Sequence, residues 1–86
     1  MITAGQIRAA RGMLNISQLE LANDSGLNMA TISRIEKDEK ALETAGISTI
    51  NKIKTALEER GIIFTIPKKD PYTLTIGIRY VINTSK

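Results

Sequence analysis

The feature that most constrains this chain is one glycine, Gly26, set between two capped, apolar-periodic segments within residues 17–37 (SQLELANDSGLNMATISRIEK). Ser17 is placed to cap the first segment: its hydroxyl accepts a bond from a free backbone N–H of the first turn, and Glu20 reaches back to the N–H of Ser17. Ile16 and Leu21 stand at the spacing of a hydrophobic staple, and Leu27 and Ile32 repeat that spacing around the next cap, Asn28. Gly26 follows the first segment directly, where a left-handed backbone costs glycine nothing. Leu21, Ala22, Ile32 and Ile35 fall inward, and Met29, Ala30, Ser33, Arg34 and Lys37 fall outward. Ala22 is small, as a steep, close crossing of two helices requires. The stretch therefore predicts helices at about 17–25 and 28–36 meeting at a tight corner.

These residues resemble the helix-turn-helix of the phage-repressor and Cro-like (XRE) family. The likeness runs through Gln18, Ala22 and Gly26 and the apolar Leu21, Leu27, Ile32 and Ile35, and extends over residues 3–61. Ser25 departs from it, since the family more often has Val or Ala there. The resemblance implies a DNA-binding domain whose second motif helix enters the major groove. Position by position, Ser17 and Thr31 would contact phosphate. Gln18 would bond a phosphate and brace the reading helix. Asn28, Met29 and Ala30 would meet base edges. Ser33 shares the outward face. Arg34 would fork onto guanine O6 and N7, worth about 1–3 kcal/mol of discrimination, and Lys37 would meet phosphate. Met29 and Ala30 offer only apolar contact, such as to a thymine methyl, so direct readout is expected to be sparse. The alternative is a small helical domain with a generic corner.

Upstream, Thr3 and Gln6 form a capping box, and Ile2 with Ile7 makes a third staple, opening a helix at about 3–14. Arg11 lies on the inner stripe of that helix with Ile7, Ala10 and Leu14. It is expected to meet Glu36; the resemblance implies a partly buried ion pair between these two positions. The other reading is an Arg11 that snorkels along the surface. If the pair is buried, removing one partner costs about 3–5 kcal/mol. Residues 38–46 (DEKALETAG) are polar and mixed in charge, and whether they hold a turn of helix stays open. Asp38, Glu39 and Glu43 would oppose a phosphate backbone passing near this segment. A further helix is expected at 48–60, with Ile47, Ile50, Ile53 and Leu57 as its inner stripe. Lys54 and Glu58 are spaced for a weak surface attraction, and Gly61 is the stop.

The apolar period then changes. Residues 62–66 (IIFTI) are a short β-rich run, 67–71 (PKKDP) a turn, and 72–82 alternate, with Tyr72, Leu74, Ile76, Ile78, Tyr80 and Ile82 on one face. This predicts an antiparallel hairpin. An isolated hairpin is marginal in water, so it either completes the core or pairs strands with a second copy in a homodimer. The whole is expected to be mainly α: a four-to-five-helix repressor-like DNA-binding bundle (1–61) with a C-terminal β-hairpin extension (62–86).

Composition narrows the function. The 86 residues allow one core. With no cysteine and no histidine, thiol and imidazole catalysis and the usual zinc ligands are absent. No nucleophile–base pair or phosphate loop appears, so an enzyme is not expected, nor a cofactor. No apolar run reaches membrane-span length, and a cytoplasmic setting is expected. The net charge of +3 is unevenly spread: up to Gly46 five bases face six acids, and seven bases face three acids beyond it. The reading head is thus not a basic patch, which implies few phosphate contacts per subunit and a shallow salt dependence. The expected partner is double-stranded operator DNA, read by a repressor, most naturally as a dimer. Two other functions fit the same residues: an antitoxin whose tail grips a toxin protein by strand addition, and a protein-interaction module with a silent reading head.

Overall fold

Local capping sets most of the element boundaries. In the computed structural model, which describes residues 2–64 and the backbone of 78–80, α1 spans Ala4–Leu14, α2 Gln18–Ser25, α3 Met29–Lys37, α4 Glu39–Thr44 and α5 Ile47–Glu59; β1 is Ile62–Phe64 and β2 Ile78–Tyr80. The capping box of α1 is complete: Gln6 N–H donates to Thr3 Oγ1 at 3.1 Å and Thr3 N–H to Gln6 Oε1 at 2.9 Å. At α2 only half of the expected box forms. Ser17 Oγ accepts the N–H of Glu20 at 3.0 Å, without a return bond from Glu20.

Both α1 and α2 end in a left-handed residue, Asn15 (φ 56°) and Gly26 (φ 72°). In each case the next residue's N–H reaches back five positions, Ile16 to the carbonyl of Arg11 at 3.1 Å and Leu27 to that of Ala22 at 2.9 Å. This is the Schellman arrangement, which satisfies carbonyls the helix itself cannot. It turns the chain sharply twice, so that Ile16 and Leu27 fold back toward the core.

The open question at 38–46 resolves as a short helix. Asp38 Oδ1 accepts the N–H of Lys40 at 3.0 Å, and Leu42 is buried, giving α4 a cap and an anchor. At α5 two expectations change. The helix begins at Ile47 rather than Ser48, with Gly46 (φ 92°) before it and no side-chain cap. Ile47, expected on the inner stripe, is 76% exposed. It occupies the first turn, where the stripe runs past the end of the core, and it lines an open surface groove with Asp24, Ser25, Asn51 and Lys52. Ile50, Ile53, Ala56 and Leu57 do face inward. Lys54 and Glu58 form no ion pair.

The core joins Ile2, Ile7, Leu21, Ile32, Ile35, Leu42, Ile53, Leu57 and Ile62, with the alanines 4, 10, 22 and 56 at close approaches. α2 packs on α3 and α5, and α1 on α3. β1 and β2 pair antiparallel in the register Ile62↔Tyr80, Ile63↔Arg79 and Phe64↔Ile78. β1 lies against α5 and β2 against α1, and Ile62 is 2% exposed. The described part of the hairpin thus adds to the core of its own chain. The expected turn at 67–71 and the outer parts of both predicted strands lie outside the described residues.

Candidate nucleic-acid interface

The corner leaves α3 held at one end and open at the other. At the held end Glu36 is 3% exposed. Arg11 forks onto its carboxylate, Nε to Oε2 and Nη2 to Oε1, both at 2.7 Å, and Nη1 donates to the carbonyl of Ile16 at 3.0 Å. Gln18 Nε2 donates to Oε1 at 3.3 Å. Arg8 Nη1 donates to the backbone carbonyl of Glu36, one of the last carbonyls of α3. The hydrogen bond to Glu36 raises the Arg11 guanidinium further above its ordinary range, outweighing the opposing effect of burial, with Coulombic attraction adding to it. The expected Arg11–Glu36 pair therefore exists, and the surface-snorkel alternative does not describe Arg11. Among the described residues no buried side-chain polar atom lacks a partner, as a charged group inside a small core requires.

At the open end Asn28 Oδ1 accepts the N–H of Thr31 at 2.8 Å and the Thr31 hydroxyl at 2.9 Å. Met29 and Ala30 are exposed there, Met29 to 49%, and Arg34 and Lys37 are exposed further along α3, in its last turn. Thr31 and Ser33 are half-buried on the flanks. Ser17 stands exposed at the start of α2. Its oxygen accepts from Glu20, and its hydroxyl proton is left without a partner among the described residues. The expected contact residues are thus gathered along the outer side of α3 and the start of α2, apart from Gln18, which is turned toward Glu36 and keeps one amide N–H to spare.

Three contacts escaped sequence reasoning. Arg8 sits one turn before Arg11, and that spacing alone signals a shared face. Glu39 carries no local signal: its carboxylate accepts the N–H of Ala4, at 3.0 Å from Oε2, across 35 positions of sequence. A carboxylate at the positive end of α1 is favourably placed, so one of the acids expected to oppose phosphate is turned to a structural task. Arg60 Nε meets Asp24 Oδ2 at 2.5 Å, tying the end of α5 to the end of α2.

Residues 7–45 match the family model described as helix-turn-helix, of the XRE and Cro type. The match covers under half of the chain and takes in both α2 and α3. No curated protein and no solved structure matches the chain. Within the matched residues, α2 and α3 are the two helices on either side of the turn at Gly26. No helix among the described residues is long and apolar enough to cross a membrane, and none of their carboxylates cluster as a metal site. Arg34 and Lys37, in the last turn of α3, lie at the negative end of its dipole.

Proposed function

We propose that the protein is a sequence-specific transcriptional regulator that lays α3 in the major groove and represses by occupying its operator. The observation that carries this is the exposure of Met29, Ala30, Arg34 and Lys37 along one side of a helix whose opposite side is fixed into the core. Arg34 reads guanine through its two-pronged guanidinium. Ser17 and Lys37 supply phosphate contacts, and the free N–H of Gln18 a third. Such heads act as dimers on half-sites about one helical turn apart, with the C-terminal extension as the pairing element and the cytoplasm as the setting. Selection of bound duplexes from a random pool tests the reading. A defined, two-fold repeated site is the expected result. Arg34→Ala then weakens that site far more than random duplex, because a base contact is lost; equal weakening of both reduces Arg34 to a phosphate contact. A solution mass of one chain at the concentrations that saturate the site ends the dimer reading.

A further inference from the structure

The side chain that leads α3 toward the groove has already committed half of its hydrogen-bonding capacity. An amide oxygen has two lone pairs and an amide nitrogen two protons. Asn28 Oδ1 receives two donors, the N–H of Thr31 at 2.8 Å and the Thr31 hydroxyl at 2.9 Å. The orientation of this amide is settled by chemistry: a backbone N–H bonds an oxygen and not an NH2 group, so the nitrogen Nδ2 is the atom left over. Among the described residues no partner is present for Nδ2, and Asn28 is exposed.

We infer that Asn28 is a specificity residue that faces DNA with donors alone, and that Thr31 enforces this by occupying the second lone pair of Oδ1. The inference rests on the proposed reading of α3 as the groove-reading helix. An asparagine with a free amide recognises adenine by giving a proton to N7 and taking one from N6. Here the accepting half of that pattern is used by the helix cap. What remains matches edges that only accept: N7 and O6 of guanine, or O4 of thymine. Guanine is the better match because its two acceptors lie side by side, and Asn28 has two protons to give. Cytosine, which presents a donor at N4, is rejected. Thr31 is by the same argument a positioning residue. Its hydroxyl proton points at Asn28 and is not available to a phosphate, in contrast to that of Ser17.

Two substitutions test this on the full chain, read by sequencing the duplexes selected from a random pool. Asn28→Asp keeps an oxygen for the cap and replaces the NH2 donors with an acceptor. Guanine preference at one position of the half-site should fall roughly tenfold, with cytosine gaining. Thr31→Val keeps the shape and the backbone N–H but frees one lone pair of Oδ1. Adenine should then become acceptable at that same position. Thermal unfolding of each variant within a few degrees of the parent shows that the cap has held. A parent site with adenine at the Asn28 position overturns the inference. So does an Asn28→Asp variant that binds every sequence more weakly with an unchanged base preference, which would make Asn28 a phosphate contact. Failure of the parent chain to enrich any sequence is a different result: it removes the groove-reading function and this inference with it.

Discussion

The two ends of α3 use polar groups in opposite ways. At its C-terminal end the inward side is bonded within the protein: Arg11, Arg8 and Gln18 converge on Glu36, and the carboxylate is 3% exposed. At its N-terminal end Asn28, Met29 and Ala30 are exposed, and the bonds formed there are short-range, between residues three apart. The contrast teaches how a nine-residue helix is made into a stiff probe. Holding a helix by its end in the core fixes the direction of the other end, while its outward side chains stay free. The polar network is the part that cannot be loosened, because charges inside a small core cost several kcal/mol each when unpaired.

The largest expected effect comes from breaking the held end. Arg11→Met leaves Glu36 buried without its counter-ion and should lower the free energy of unfolding by about 3–5 kcal/mol, read from urea unfolding. A domain of this size has about 5–15 kcal/mol in total, so the variant would be near its threshold. Pairing it with Glu36→Leu removes both charges and should recover most of the loss, since an apolar replacement of a buried pair is often neutral. A loss under about 1 kcal/mol for Arg11→Met would mean that Glu36 is served well enough by Gln18 and water. The contrast between the two ends would then fail. No pH dependence from Arg11 is expected near neutrality. Its pKa is raised in the folded state, so its contribution is complete below the ordinary arginine value and is lost only as pH climbs through the raised one.

How much of this was legible in the sequence follows from the range of each interaction. The caps at Thr3, Ser17 and Asn28 bond partners three residues away, so residue type and spacing were sufficient to place them. The turn at Gly26 is local for the same reason. The Arg11–Glu36 pair spans 25 positions. An arginine on an apolar stripe raised the question, and only the family likeness supplied the partner. Nothing announced that Glu39 would reach Ala4, because a surface-like acid in a polar segment looks the same whether it meets water or a distant helix end. Ile47 was misplaced because periodicity says which side of a helix a residue occupies, but not where the core stops along its length. The commitment of Asn28 Oδ1 to two donors was within reach, since Asn and Thr three apart at a helix start are a local pair, but its consequence for base choice needed the bond to the hydroxyl as well as the one to the N–H.

The corner between the two motif helices gives the next effect down. Gly26 holds φ at 72°, and a Cβ built there meets nothing within 4 Å. Gly26→Ala therefore tests backbone strain without a clash and should cost about 1–2 kcal/mol. Gly12 also faces open space but lies inside α1. There the same substitution should stabilise by up to about 1 kcal/mol, because alanine is the better helix former. Opposite signs in thermal unfolding would confine the need for glycine to the corner. Equal signs would show that α1 or the corner relaxes into another geometry.

The smallest effect sharpens the contrast most, because it separates burial from distance. Asp24 and Arg60 approach to 2.5 Å, closer than the 2.7 Å of Arg11 and Glu36, yet their side chains are 31% and 38% exposed. If proximity decided the value of an ion pair, Asp24→Asn would cost more than Arg11→Met. Water competes for exposed charges and salt screens them, so the expected loss is under about 1 kcal/mol and should shrink further at about 0.5 M salt, where the screening length falls below the size of a side chain. The Arg11→Met loss should persist at that salt concentration, since ions do not reach Glu36. Unfolding both variants at low and high salt makes the comparison directly. A loss of about 2 kcal/mol or more for Asp24→Asn, unchanged by salt, would show that the tie between α2 and α5 is an anchor of the same kind as the one beneath α3, and that the motif is held from two sides.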